Sequence, residues 1–240
     1  TEEEDKKELE RLSKNDAGAD IDAMKQEFTN IINIMEEYKS IEVSWDVLLQ
    51  LLPKMMPRYY TIASSARLSP TKVRIAISLS DYNSPKGKRF FGITSEYLHR
   101  IFSTGFDTGS KPDAASRIFI KDSLFKYPED PKTPVIMCGP GTGVVPFIAF
   151  AEDREYLKAN DADIELGDAT LFFGCKEDNE DYIYKEEISE FLGDNRLSKV
   201  HEAFSRQQDK KVYVQDLIRE NAEQVREALM DKNGQFFICG

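Results

Sequence analysis

The spacing of apolar positions changes character twice along the chain. Over residues 1–53 it is helical. Thr1–Leu12 mixes acidic and basic residues with few apolar ones. Ile21–Tyr38 carries Ile21, Met24, Phe28, Ile31, Ile32 and Met35 near helical spacing, which predicts an amphipathic helix whose stripe faces a core. Ser44–Leu52 predicts a shorter helix, stopped by Pro53. From Tyr59 the period falls to two. Tyr59–Ala63, Val73–Leu79 and Arg117–Ile120 predict strands, and Ile93–Ile101 a helix that begins after Gly92. From residue 135 strand and helix patterns alternate. Strands are expected at Val135–Cys138, Ala169–Phe173, Lys199–Phe204 and Phe236–Cys239. Helices are expected at Val144–Lys158, Tyr184–Phe191, Val214–Arg219 and Ala222–Met230. Such alternation predicts an α/β fold with a doubly wound parallel sheet, whose ligands sit at the carboxyl ends of its strands.

Composition narrows the function classes. The 240 residues suffice for two small domains. A net charge of −11 argues against a general nucleic-acid binder and suits a basic protein partner. Cys138, Cys175 and Cys239 are scattered and odd in number, with neither metal-ligand spacing nor a disulfide framework, so a reducing compartment is expected. His99 and His201 are the only histidines, so a His-based metal site or catalytic triad is not expected. No apolar run approaches the ~20 residues of a membrane helix. The chain begins at Thr1 inside a helical pattern and stops at Gly240 just past a strand, so a piece of a longer protein is expected.

The densest chemical signal is Val135–Phe147, where a short apolar strand meets three glycines in five residues and then a helix with Pro146 near its start. Glycines let backbone N–H groups approach a ligand, and a helix N-terminus favours anions, so the turn reads as a pyrophosphate seat. Its spacing is neither Gly-x-Gly-x-x-Gly nor that of a phosphate-loop NTPase. The next two strand ends supply Gly174-Cys175-Lys176 and Ser205-Arg206, followed by Lys210, Lys211 and Tyr213. Lys176, Arg206 and Lys211 would make a basic crevice in an acidic chain, suited to the extra phosphate of NADPH. There Arg206 offers a fork, Ser205 a hydroxyl and Tyr213 a ring for adenine. Lysines on a solvated turn are the plainer alternative. Arg58-Tyr59-Tyr60-Thr61 would suit a flavin clamp or an ordinary exposed strand. Gly92-Ile93-Thr94-Ser95 would suit a second diphosphate seat or a simple helix cap.

In this order and spacing the loci resemble the FAD- and NADPH-binding half of the diflavin reductases. The matching stretches run from Leu51-Leu52-Pro53 through Arg58–Ser65, Gly92–Ser95 and Pro134–Phe147. They continue through Gly174–Lys176, Asp181–Glu187, Ala203–Arg206 and Lys211–Gln215, so the resemblance covers essentially the whole chain. It implies a partial helical connecting segment over 1–53, a partial antiparallel β-barrel FAD domain over 54–134 and an NADPH-binding α/β domain over 135–240.

The resemblance also implies roles. For FAD these fall on Arg58, Tyr59, Tyr60, Thr61, Ala76, Ile77, Ser78, Tyr82, Gly92, Ile93, Thr94 and Ser95. Arg58 would hold the pyrophosphate, Tyr60 pack on the isoalloxazine and Tyr82 lie near the adenine. For NADP they fall on Gly141, Thr142, Gly143, Lys176, Ser205, Arg206, Lys211, Tyr213 and Gln215. Thr61 and Cys239 are the implied catalytic pair beside the transferred hydride; no metal is implied. Cys239 reads equally as a small buried hydrophobe. Thr61 replaces the family's serine, keeping the hydroxyl but stiffening χ1. Lys176 replaces an arginine, keeping charge but losing bidentate geometry.

The implied activity takes hydride from NADPH to FAD, then electrons to FMN in an N-terminal domain absent here, then to a haem protein. The early barrel strands would also precede Thr1, and the family's terminal acidic residue and flavin-capping aromatic would follow Gly240. The implied setting is the cytoplasmic side of the endoplasmic reticulum membrane, with no membrane segment in these residues. Two alternatives stand beside it. One is a neighbouring diflavin enzyme, such as a nitric oxide synthase reductase module or a sulfite reductase flavoprotein. The other is a non-catalytic module that kept nucleotide affinity.

Overall fold

A computed structural model describes residues 2–14, 18–108, 116–123 and 125–240. The chain divides into two compact units: Thr1–Arg58 with Leu79–Ser116, and Tyr59–Ser78 with Arg117–Gly240.

The first unit is mostly helical. Helix α1 (Glu2–Leu12) opens on Glu2, Glu3, Glu4 and Asp5 and has Arg11 in its last turn, an order that complements the helix dipole. The single helix expected over Ile21–Tyr38 is instead two, α2 (Gly18–Gln26) and α3 (Ile31–Glu37). Asn30 starts α3: its side-chain oxygen accepts from the Ile32 and Asn33 amides at 2.9 and 3.2 Å, and Asn33 accepts from the Asn30 amide at 3.2 Å. Phe28 turns the chain ahead of this cap with φ 53°. A reciprocal cap thus prevails over continuous periodicity.

The stripe expected to be core is not buried. Phe28 and Ile32 are 44% and 50% exposed, and α1, α2 and α3 have no buried residue. Helix α4 (Trp45–Leu51) buries Leu48 alone. Strands β1 (Asp81–Asn83) and β2 (Arg89–Phe91) pair antiparallel. The Phe28 ring packs on Tyr82 and Phe90 of this ribbon, 5.0 and 5.1 Å between centroids. Helix α5 (Ile93–Thr108) follows Gly92.

Two of the expected strands shrink to one contact. Over Tyr59–Ala63 and Val73–Leu79 an antiparallel bridge joins Ile62 to Ile75, and the Ala63 amide donates to the Arg74 carbonyl at 2.7 Å. Residues 117–120 are irregular. Alternation makes a segment fit for a sheet, but the strand forms only where a partner takes its backbone groups. The ribbon and this bridge are the β structure among the described residues of 54–134.

The second unit carries a four-stranded parallel sheet. In chain order it comprises β3 (Val135–Pro140), a 3-10 turn Gly141–Val144, α6 (Val145–Asn160), β4 (Ala169–Cys175), α7 (Lys185–Gly193) and β5 (Lys199–Phe204). Then come α8 (Val214–Glu220), α9 (Ala222–Arg226) with a π-helical turn Glu227–Asp231, and β6 (Gln235–Ile238). The strand order is β5-β4-β3-β6. Val135, Met137, Leu171 and Phe173 pack with Phe147, Ile148 and Ala151 of α6 and with Ile188 and Phe191 of α7. Ile136 and Phe172, one position out of phase, pack with Leu217 and Ile218 of α8 and with Val225 and Ala228 beyond it. Helices therefore cover both faces, which is why β3 and β4 read as nearly continuous apolar runs.

Candidate functional site

At the carboxyl end of β3 the backbone turns left-handed at Gly141, with φ 54°. A Cβ there would meet nothing within 4 Å, so it is the conformation that calls for glycine. Two residues on, the reason is space. A Cβ on Gly143 would lie 1.9 Å from the Cys239 carbonyl oxygen, so the bare Cα lets the end of β6 pass against the turn. Pro146 then falls in the first turn of α6, where its missing N–H costs nothing.

The exits of β4 and β5 stay side by side. The Ser205 amide donates to the Cys175 carbonyl at 3.0 Å, and the Arg206 amide to the Lys176 carbonyl at 2.9 Å. These exits and the glycine turn enclose a cavity of about 550 Å³. Its wall includes Gly141 and Thr142 from the turn, Lys176 and Ser205 from the strand ends, and Tyr213 and Gln215 at the start of α8. Six of the nine residues expected to meet NADP thus share one cavity. Of the other three, Gly143 is buried beneath the end of β6, while Arg206 and Lys211 are exposed and outside the wall.

The wall is of mixed charge, not uniformly basic as expected. Glu180 and Asp181 from the β4–α7 loop face the same space as Lys176. The basic crevice loses Arg206 and Lys211 because the chain leaves the strand ladder after Arg206 and runs through exposed bends to residue 210. Sequence reading gave neither carboxylate a place in the crevice, although ligands of such a sheet sit at the carboxyl ends of its strands. Tyr182 fixes that loop. Its hydroxyl donates to Glu202 at 2.6 Å and its ring stacks on Phe173, 4.4 Å between centroids. Burial, and then Asp181, Asp178 and Glu202, push the Cys175 thiol up to about 11, so it stays protonated.

The residues expected to meet FAD are divided between the units. Arg58, Tyr82 and Gly92–Ser95 belong to the first; Tyr59–Thr61 and Ala76–Ser78 belong to the second. The Arg58 guanidinium donates to the Met56 carbonyl at 2.5 Å. In the Gly92-Ile93-Thr94-Ser95 turn, the buried Ser95 hydroxyl donates to the Gly92 carbonyl and accepts from the Ser80 amide, each at 3.2 Å. Tyr59 meets Phe119 edge-on at 5.9 Å and has the Lys121 ammonium 5.0 Å from its ring centre. Tyr60, Ala76 and Ile77 are half-buried and Thr61 is exposed. Ser78 lines the same cavity as the NADP set. Neither Thr61 nor Cys239 is in that wall. Burial raises the Cys239 thiol, and its amide donates to the Cys138 carbonyl at 3.0 Å, carrying the β3–β6 ladder one step further.

Residues 1–97 match the family described as FAD binding domain, and residues 137–240 match the oxidoreductase NAD-binding domain. The chain thus carries matches to a FAD-binding family and to an oxidoreductase NAD-binding family in succession. It is similar to the NADPH–cytochrome P450 reductases of Drosophila melanogaster, Musca domestica and Mus musculus, at 39%, 36% and 36% identity over 211 residues. That alignment covers 88% of this chain and 30% of each relative, so the chain spans under a third of their length. The likeness to diflavin reductases read from the motifs therefore holds. The cavity lies within the segment matched by the NAD-binding family, apart from Ser78. Among the described residues, no cluster of His, Cys, Asp and Glu is placed to hold a metal ion, and no helix is long and apolar enough to cross a membrane.

Proposed function

We propose that the chain is the nicotinamide- and flavin-binding part of an NADPH-dependent reductase that serves a haem protein such as a cytochrome P450. The observation that carries this reading is the shared cavity: the glycine turn, Lys176, Ser205 and Tyr213 converge there from four separate segments. The donor set fits a dinucleotide. The turn at the start of α6 offers backbone N–H groups and the Thr142 hydroxyl to a pyrophosphate. Lys176 and Ser205 offer a cation and a hydroxyl to the 2′-phosphate, and Tyr213 and Gln215 flank the adenine. Arg206 and Lys211, exposed beside this rim, add charge that draws in a polyanion.

When bound, NADPH supplies the hydride and FAD accepts it and releases electrons singly. Tyr60 would cover the flavin ring, Arg58 would pair its pyrophosphate, and the Thr61 hydroxyl and Cys239 thiol would flank the transfer path. Residues 1–53 then serve as the helical connecting segment, 54–134 as the incomplete flavin barrel and 135–240 as the nicotinamide domain. Electrons would leave through an FMN domain elsewhere in the whole protein. The likeness further implies the cytoplasmic side of the endoplasmic reticulum membrane, through an anchor outside these residues.

The test is donor preference. In the flavin-loaded reductase, Lys176→Ala should raise KM for NADPH by roughly 10-fold or more, since a charge-assisted contact is worth about 1.5–3 kcal/mol. Arg206→Ala, which removes a charge outside the wall, should raise it less, and neither should change KM for NADH much. Equal loss with both donors would refute the 2′-phosphate assignment, and a wild-type preference for NADH would refute the reading itself.

A further inference from the structure

Immediately after Tyr60 and Thr61, the chain is tied to α6 by contacts spanning 78 to 88 positions of sequence. The Glu152 carboxylate takes one bond on each oxygen: from the Ser65 amide at 2.8 Å, and from the Arg74 guanidinium at 2.5 Å. The buried Ser65 hydroxyl donates to Asp153. Arg74 also donates to the Ala63 carbonyl at 3.1 Å, and its amide donates to the Ser64 hydroxyl at 3.0 Å. Its guanidinium lies 5.6 Å from the Tyr184 ring centre, at the end of the loop whose Asp181 and Ile183 line the cavity.

These contacts sit where position matters. Tyr60 and Thr61 directly precede the Ile62–Ile75 bridge. A single bridge fixes few dihedrals and would leave them free to drift. Glu152 and Asp153 lie on the helix that follows the glycine turn, about 10 Å from its start. One rigid helix therefore holds the nicotinamide-side turn at one end and the flavin-side segment two turns on. The Glu152 side chain is only 15% exposed, so the pair is shielded more than an ordinary surface bridge.

We propose that Arg74, Glu152 and Asp153 form a latch that sets the Tyr60–Thr61 segment against α6, and that Arg74 is a positioning residue for hydride transfer. This rests on the functional reading above, because it takes Tyr60 and Thr61 as flavin-facing. Transfer demands reacting atoms within about 3.5 Å, and a misplacement of about 1 Å costs up to about 100-fold.

The test uses the flavin-loaded reductase with Arg74→Glu, Glu152→Arg, the double exchange, and Arg74→Lys as the mildest change. Three quantities are read: amide exchange over residues 62–75, the single-turnover rate of flavin bleaching by NADPH, and the affinity for NADP+. Arg74→Glu should speed exchange over 62–75 and slow bleaching by about 10- to 100-fold, with NADP+ affinity nearly unchanged. The double exchange should recover most of both losses, and Arg74→Lys should fall between. The latch is overturned if bleaching keeps its rate while 62–75 exchanges faster. It is equally overturned if rate and NADP+ affinity fall together, or if the double exchange restores neither. A wild-type protein that bleaches with NADH and not NADPH would instead strike the donor assignment, leaving the exchange and rescue results to judge the latch.

Discussion

In the second unit, Leu171, Phe172 and Phe173 are fully enclosed in β4 between helices on both faces. In the first unit, Leu48 and Ile101 are the buried apolar side chains among the described residues, while Trp45, Leu49, Leu51, Met55 and Met56 are 65–78% exposed. Both regions are strongly patterned in sequence. The difference lies in what the pattern finds to pack against. Helices α1 and α3 rest on local devices, acidic first-turn residues in one and a reciprocal asparagine cap in the other. Such devices are worth about 1 kcal/mol each and do not build an interior. The parallel sheet gathers residues from strands and from helices on both of its faces, and burial there stabilises at about 25 cal/mol per Å² of apolar surface.

The contrast can be broken most directly by truncation. Phe172→Ala removes a ring with 0% exposure and should lower stability by about 3–5 kcal/mol. Leu49→Ala, at 70% exposure, should change it by less than about 0.5 kcal/mol. Denaturant unfolding of both variants reads the difference. Comparable losses would mean that the first unit has an interior resembling the second.

A smaller but sharper effect is expected at the glycine turn. Gly143→Ala would press a methyl on the Cys239 carbonyl at 1.9 Å, and Gly18→Ala in the first unit would meet nothing within 4 Å. The former should cost about 1–3 kcal/mol and the latter nothing, or bring a slight gain from its helical position. The same scan should show Gly143→Ala weakening NADP+ binding, because the turn must shift to make room.

The same contrast explains what could be read from sequence. The parallel sheet was legible because each strand's apolar run and each helix's stripe demand the same arrangement, so local and global signals agree. The cavity followed from it: once strand order is known, Gly141, Lys176 and Ser205 must meet at one rim. Glu180 and Asp181 were missed because a carboxylate in a loop carries no periodic signature. The α2–α3 break was missed because Asn30 lies within a run of otherwise regular spacing. The strands at Tyr59–Ala63 and Val73–Leu79 were over-read because alternation predicts a face and says nothing about a neighbour.

The smallest expected effect tests the interior of the sheet by pH. His201 of β5 stacks flat on Phe172, 4.6 Å between centroids with 9° between planes. Its Nε2 is buried with no hydrogen-bond partner. Burial, and then the nearby Lys199 ammonium, hold its pKa below the usual 6.5, with Gln224 acting weakly the other way. The folded ring therefore resists protonation, while the unfolded ring accepts it near pH 6.5. Below that value the unfolded state binds more protons, so this group's contribution is present at neutral pH, falls as pH drops through 6.5 and levels off below the folded pKa. His201→Phe keeps an aromatic ring on Phe172 and cannot titrate. Its melting temperature should fall less than that of the wild type between about pH 7.5 and pH 5.5. Equal slopes would mean that the ring is solvated in the folded protein and that the outer strand of the sheet is looser than its two central neighbours.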